Sequence, residues 1–165
     1  MINLKSHNKG TTLFIIFLTI FIDLLGFGII LPLLPTFSVS VLHINEFTIG
    51  LMVGIFSLTQ FLFTPVWGTL SDKYGRKRVL IISLAGSVVS NLLMALVFSG
   101  ALMSVFLFIF ARGFAGAFAG NISAAQAVIS DVTPPEERSK GMGLISAAFS
   151  LGFVFGPTVG GVLSE

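Results

Sequence analysis

The chain has 165 residues, of which 55% are hydrophobic and 10% are charged, and its mean hydropathy is +1.02. A soluble domain carries about 25% charged residues to keep its surface solvated, so this composition argues against a soluble protein and indicates one surrounded by lipid. Cysteine is absent, which excludes disulfides and thiolate metal sites. The two histidines, His7 and His43, lack carboxylate or histidine neighbours at ligand spacing, so we predict no metal site. Basic residues lie at the ends of apolar stretches, which is typical of membrane topology rather than of nucleic-acid binding.

Apolar stretches of about 20 residues are long enough to cross about 30 Å of hydrocarbon. Five such stretches predict an all-α integral membrane protein with spans at approximately 13–37, 47–70, 80–98, 102–130 and 141–163. The third and fourth spans form one continuous apolar region that is too long for a single crossing, so we expect a hairpin at Ser99-Gly100. Pro32 and Pro35 are expected to end or bend the first helix.

Lysine and arginine are concentrated in alternate connections. The N-terminus carries Lys5 and Lys9, the connection after the second span carries four basic residues, and the connection after the fourth carries Arg138 and Lys140. The intervening connections carry none, so the positive-inside rule predicts a cytoplasmic N-terminus in the cell membrane. Five spans then place the C-terminus outside, directly after the fifth span. We therefore expect the sequence to be part of a longer chain.

Two charged residues lie inside predicted spans. Asp23 is about ten residues into the first span and Arg112 about ten residues into the fourth, so each lies about 15 Å deep, near one midplane. A charge at that depth costs several kcal/mol unless it is paired or hydrated. One interpretation is an ion pair that only fixes the bundle. The other is an aqueous pathway in which Asp23 titrates or meets a cationic substrate while Arg112 tunes its proton affinity, and the midplane location favours it.

The connection after the second span combines spaced glycines with alternating charges. It reads GTLSDKYGRKRVL from Gly68 to Leu80 and resembles motif A of the major facilitator superfamily, with Lys73 where arginine is usual. The residues that carry the resemblance are Gly68, Asp72, Gly75, Arg76 and Lys77. The segment from Asp131 to Arg138 is likewise similar to the loop after span four in the drug:proton antiporter branch. The resemblance implies that these residues include a cytoplasmic charge cluster, with Asp72, Arg76 and Asp131 holding the halves of the transporter together in its outward-facing state.

The fifth span contains a glycine string that resembles motif C, the signature of antiporter members of the superfamily. Its residues are Gly143, Gly152, Gly156, Pro157, Gly160 and Gly161. Three of them recur every four residues, which predicts a groove for close packing of another helix, and Gly156-Pro157 is expected to bend the span. Ordinary packing of small residues, without an antiporter role, is the alternative.

Two further segments extend the resemblance over essentially the whole chain. Arg112-Gly113-Phe114-Ala115-Gly116 resembles motif B, although many members have glutamine at the position of Ala115. The stretches Asp23–Gly28 and Pro32–Pro35 resemble span one of the drug:proton antiporters, which include tetracycline exporters.

The resemblance implies a twelve-helix fold of two six-helix halves built from inverted three-helix repeats, of which this chain supplies the first five helices. It implies proton-coupled efflux of drugs or other small lipophilic molecules by alternating access, driven by the proton gradient without a cofactor. The partners would be the lipid bilayer, protons, a small-molecule substrate and a C-terminal half.

Two alternatives remain open: a superfamily symporter or uniporter of a small metabolite, and an inactive fragment with only a packing role. A membrane enzyme is disfavoured because the zincin, nucleophile-elbow and P-loop motifs are absent from the sequence.

Overall fold

The computed structural model of the protein describes residues 9–40, 45–101 and 104–163, with the side chains of residues 36–40 left out. The predictions that concern Lys5, His7, His43 and the last two residues lie outside these ranges. The described chain is helical, with short turns between the helices. The helices are α1 (Lys9–Ser40), α2 (Glu46–Tyr74), α3 (Arg76–Phe98), α4 (Val105–Phe118), α5 (Asn121–Val132) and α6 (Arg138–Leu163), with a 3₁₀ turn at Pro135–Glu137.

Five segments are long and apolar enough to cross a membrane. They are Lys9–Pro35, Glu46–Tyr74, Arg76–Phe98, Val105–Val132 and Pro135–Leu163, so the predicted all-α membrane fold is confirmed. Large apolar side chains cover the outer surface; Phe61 is 76% exposed and Phe106 is 79% exposed. Such a surface is stable in hydrocarbon and would aggregate in water.

Local sequence signals set several of the helix ends. Asn45 caps α2 by accepting a hydrogen bond from the Thr48 amide at 2.9 Å, and Ser104 caps α4 through the Leu107 amide at 3.3 Å. Gly75, with φ +94°, separates α2 from α3, and Gly100, with φ +74°, lies in the turn after α3. Because both backbones occupy a region that favours glycine, the two turns lie where the glycines stand.

The first helix does not end at its prolines. It continues as α-helix through Pro32 and Pro35 to Ser40, so of the two expected effects the prolines do not have the first: they do not end the helix. Neighbouring helices can stabilise proline within a membrane helix because they compensate for the lost backbone hydrogen bond. Here Pro32 packs on α6, where a Cβ added to Gly160 would lie 2.8 Å from its Cγ.

The most extensive helix contact joins α1 to α6 through glycine. A Cβ added to Gly156 would lie 2.6 Å from the Gly28 Cα, and one added to Gly152 would lie 2.7 Å from the Leu24 Cβ. These pairs, the Pro32–Gly160 pair and the ion pair between Lys9 and Glu137 all share a separation of 128 residues. A constant separation means that α1 and α6 run parallel and in register, as the first and fifth spans of an alternating topology must.

The outer glycines of the predicted motif C string do not take part in this contact. A Cβ at Gly143 or Gly161 would meet no neighbouring atom within 4 Å among the described residues. The predicted groove therefore consists of Gly152, Gly156 and Gly160. Pro157 lies at its edge, with its Cδ 3.1 Å from the position of a Cβ on Gly28.

The fourth span is two helices rather than the single one that the sequence predicts. The helix stops after Phe118 and resumes at Asn121. A broken helix leaves its last carbonyl groups without helical partners. Three consecutive carbonyls at this break accept side-chain hydrogen bonds from α2 and α3: Ala117 from the Trp67 indole, Phe118 from the Ser83 hydroxyl, and Ala119 from the Gln60 amide. Irregular backbone at membrane depth is tolerated when protein groups satisfy it in this way.

Small residues bring α2 close enough to supply these hydrogen bonds. A Cβ on Gly120 would lie 2.6 Å from Trp67 Cδ1 and 3.2 Å from the Thr64 Cα, and one on Gly116 would overlap the Phe56 carbonyl. The break in the fourth span is therefore stabilised by its contacts with α2 and α3. It directs α5 from the middle of the bundle toward the α2–α3 connection.

Two apolar cores lie above and below this break. One core is formed by α1, α5 and α6 around Ile20, Ile129 and Ala148. The other is formed by α1, α2, α3 and α4 around Leu34 and Phe108. Along α1, the residues between the two cores include Asp23 and Phe27, and along the fourth span they include Arg112 and Asn121. The polar site therefore occupies the gap between two apolar layers.

The glycine contact predicts a specific loss of stability in Gly156→Ala. Its new methyl group meets backbone atoms of α1, which cannot rotate away, so we expect a loss of about 1–3 kcal/mol in the free energy of unfolding. The measurement is unfolding of the purified chain in detergent micelles followed by circular dichroism. Gly143→Ala is the matched control, since the same methyl group enters open space on the same helix. Equal stability of the two variants would contradict the packing.

The helix break predicts a second difference, between two serine substitutions. Ser83→Ala removes an interhelical hydrogen bond to the Phe118 carbonyl, and we expect it to cost about 0.6–1.7 kcal/mol, the range for such bonds in membranes. Ser150→Ala removes only a bond of 3.0 Å to a carbonyl of its own helix and should change the same unfolding measurement little. If both variants match the unsubstituted chain, the hydroxyl of Ser83 does not hold the break.

Candidate functional site

A cavity of about 370 Å³ lies between the two apolar cores and draws residues from all six described helices. Its volume is that of a site for a small organic molecule. The polar lining residues are Asp23, Ser57, Gln60, Ser87, Ser90, Asn91, Arg112 and Asn121, and the aromatic ones are Phe27, Phe56, Phe149 and Phe153.

Asp23 forms one side of the polar lining. Its Oδ2 accepts a hydrogen bond of 3.1 Å from Nδ2 of Asn121, the first residue of α5, and the Ser87 side chain also interacts with the carboxyl group. Asn121 is only 1% exposed, and its Oδ1 has no hydrogen-bond partner among the described residues. The break in the fourth span places this amide at the acid.

Arg112 is the most deeply buried charge of the site. Its side chain is 1% exposed, and Nε and Nη2 find no hydrogen-bond partner in the described part of the chain. The guanidinium carbon lies 4.6 Å from the centre of the Phe56 ring and 5.6 Å from that of Phe27. Cation–π attraction to two rings stabilises the charge partly, but it leaves the N–H groups unsatisfied.

The two charges line the same cavity without forming an ion pair. Within the described ranges, the salt bridges of 4.0 Å or less join Lys9 to Glu137 and Arg76 to two aspartates, and Asp23 and Arg112 take part in none. The described conformation therefore does not contain the ion pair of the first interpretation, and the proton pathway of the second stays a prediction.

Sequence reasoning did not single out the polar residues of α3. Ser83, Ser87, Ser90 and Asn91 follow one another at helical spacing on a segment that is otherwise apolar. Polar side chains repeated on one face of a membrane helix indicate the side that faces a cavity or another helix. That signal was present in the sequence, and the single amide of Asn121 in the apolar fourth span was a weaker form of it.

The charges of motif A come together at one end of the bundle. Arg76 pairs with Asp72, its Nε lies 3.2 Å from Oδ2 of Asp131, and its Nη1 donates to the Ser71 hydroxyl at 2.6 Å. Arg76 thus connects the end of α2, the start of α3 and the end of α5.

The other motif A residues and Arg138 lie around this cluster rather than in it. Arg138 donates to the Ser130 carbonyl at 3.3 Å, near the end of α5, and Lys77 is exposed. Gly68 makes an ordinary contact, because a Cβ there would lie 3.9 Å from the Ser123 hydroxyl.

Comparison with known proteins shows which family the chain is similar to. The Major Facilitator Superfamily matches residues 16–165. The multidrug resistance protein 2 of Bacillus subtilis is 38% identical over 162 residues, which are 97% of this chain and 39% of that protein. The class B tetracycline resistance protein of Escherichia coli is 38% identical over 148 residues, which are 87% of this chain and 35% of the relative. The chain thus spans about two fifths of the length of the curated relatives it matches.

A solved structure agrees in fold. The crystal structure of the human organic anion transporter MFSD10 has a TM-score of 0.76 and 29% sequence identity, and the match covers 95% of this chain and 42% of that one. These relatives confirm the predicted resemblance to the branch that contains the tetracycline and multidrug resistance proteins. The chain belongs to the Major Facilitator Superfamily, a family of multi-pass membrane transporters rather than of enzymes.

Proposed function

We propose that this chain forms the N-terminal part of a proton-coupled antiporter that exports drugs or other small lipophilic molecules by alternating access. The proton gradient would drive it without a cofactor, in the cell membrane and with the N-terminus in the cytoplasm. The observation that carries the proposal is the placement of Asp23 and Arg112 in one cavity without an ion pair between them. The names of the relatives, which refer to multidrug, tetracycline and quinolone resistance, support the kind of substrate.

An unpaired acid suits exchange of a proton for a substrate. An ion pair with Arg112 would hold Asp23 in its charged form, whereas a hydrogen bond from an uncharged amide leaves both forms possible. Asn121 can form a hydrogen bond with either form of Asp23. Its Nδ2 donates to the carboxylate, and its free Oδ1 accepts from the protonated acid once the amide rotates. In the proposed cycle Asp23 releases its proton as it meets the substrate and takes up another after the substrate has left.

The charge cluster of Arg76, Asp72 and Asp131 is proposed to open and close at the cytoplasmic end during transport, and we call it the latch. It joins three helix ends through groups that water can reach, since Asp72 and Asp131 are both exposed. Exposed ion pairs contribute only about 0–1 kcal/mol, so such a cluster can open and close during a transport cycle without unfolding the bundle. Its residues would therefore affect transport more than stability.

Asp23→Asn tests the coupling. The variant keeps the size and polarity of the side chain but cannot exchange a proton, so we expect proton-driven transport to fall at least about tenfold. The measurement is uptake of ethidium into everted membrane vesicles that carry the full protein, energised with an inwardly acidic gradient. Glu46→Gln, the same change at an exposed helix start, is the control. A protonophore should abolish the wild-type signal, whereas a symporter would not accumulate the dye under this gradient. Wild-type transport by Asp23→Asn would refute the proposed coupling.

Arg76→Gln tests the latch. We expect transport in the same vesicles to fall several-fold while the free energy of unfolding changes by less than about 1 kcal/mol. Hydrogen exchange of the backbone amides near Gly75 and Asp131 should accelerate, because the links between α2, α3 and α5 are lost. Lys77→Gln removes the neighbouring exposed charge and should leave exchange and transport near the wild-type level. Equal behaviour of the two variants would show that net charge, and not the cluster, matters.

A further inference from the structure

We propose that Arg112 binds a carboxylate of the substrate, so that the cavity selects aromatic molecules that carry an acidic group, including zwitterions. This inference rests on the proposed transport function and names a substrate class for the same cavity. The argument starts from the two nitrogen atoms of Arg112 that have no partner.

The unpartnered atoms are the pair that a carboxylate fits. Nε–H and the outer Nη2–H point in parallel from one edge of the guanidinium group, and a planar carboxylate accepts both at once. Hydrogen bonds of this two-point kind are stronger than single neutral ones and fix the orientation of the bound group. A lipophilic cation offers no acceptor to this edge, so it would bind through the other lining residues alone and more weakly than an acid.

Within the described ranges, no carboxylate of the chain forms an ion pair with Arg112. Asp23 is held by Asn121 and forms no ion pair with Arg112. The other acidic residues in the described ranges lie at helix ends or in connections: Glu46, Asp72, Asp131, Glu136 and Glu137. A buried charge without a counter-ion is costly, so a carboxylate that binds Arg112 would relieve that cost.

Access to this edge requires a movement of the side chains around Arg112. In the described conformation Nε and Nη2 are closed off from solvent, and the rings of Phe27 and Phe56 lie against the guanidinium group. The Phe27 ring also packs on Phe56 at 4.8 Å with the ring planes tilted by 35°, and it meets Phe153 on α6 edge-on at 5.8 Å. A planar aromatic substrate can replace these ring contacts while its carboxylate takes the uncovered N–H groups.

The remaining lining matches the rest of such a molecule. Phe149 and Phe153 offer an apolar wall for the ring system, and the cavity of about 370 Å³ lies in the range of small-molecule sites. Asp23 provides a second polar point, where an amine of the substrate can bind. A zwitterion would then contact both charges, whereas a simple acid would contact Arg112 alone.

The test compares one molecule with its ester. Ciprofloxacin is a fluorescent aromatic amine with a carboxylate, and its methyl ester keeps the amine but removes the negative charge. Binding of both to the full protein in lipid nanodiscs is measured by fluorescence anisotropy. We expect the acid to bind at least tenfold more tightly than the ester in the wild type. In Arg112→Gln the ratio should fall to near one, and in Arg112→Lys an intermediate ratio should remain, because lysine keeps the charge but not the two-point geometry.

Asp23→Asn provides the contrast, since it should weaken the acid and the ester alike and leave their ratio as in the wild type. Equal binding of acid and ester by the wild type overturns the carboxylate site while leaving drug binding intact, and would place the counter-ion of Arg112 elsewhere in the protein. This comparison in the wild type needs no variant to fold. An unchanged ratio in Arg112→Gln also overturns the inference. Failure of both probes to bind overturns the inference and the proposed drug-binding function together.

Discussion

The hydrogen bonds that side chains of α2 and α3 donate to the broken fourth span are the constraint on which the site depends. Backbone carbonyls at membrane depth must find protein partners, because lipid offers none. Trp67, Ser83 and Gln60 supply those partners at three successive residues, and so make a two-residue interruption stable. Without the interruption, a straight helix would carry the residues after Phe118 in another direction, and the Asn121 amide would not be placed at Asp23 by the same geometry.

Glycine performs the complementary role on the other side of the cavity. The α1–α6 contact is so close that backbone meets backbone at Gly28 and Gly156. In lipid, where apolar burial does not drive helices together, such close packing is a principal source of association. It holds α1 in register along α6, and thereby fixes the depth at which Asp23 and Phe27 face the cavity. On one side of the cavity, small residues thus position α1 against α6. On the other side, polar side chains of α2 and α3 position the fourth span.

Sequence reasoning succeeded where the signal was local. The apolar lengths predicted five spans, and the four-residue spacing of Gly152, Gly156 and Gly160 predicted a packing groove, since both follow from the geometry of a single helix. It failed where the outcome depends on a neighbour. Whether Pro32 ends α1, or Gly120 interrupts the fourth span, is decided by contacts with α6 and α2 that no window of sequence contains. The midplane charges were found because charge inside an apolar span is rare, but their relation to each other required the fold.

The short helix α5 connects the two polar features of the chain. Its first residue, Asn121, donates to Asp23 in the cavity, and Asp131, one residue before its end, pairs with Arg76 at the α2–α3 connection. Ten residues of helix separate these contacts by about 15 Å, and a helix of this length is stiff along its axis. The break before Asn121 separates α5 from α4, while the buried side chains Ala125 and Ile129 lie in the core with α1 and α6. The hydrogen bond at Asp23 and the ion pair at Arg76 therefore lie at the two ends of one helix, and a rigid movement of α5 along its axis would displace both contacts together.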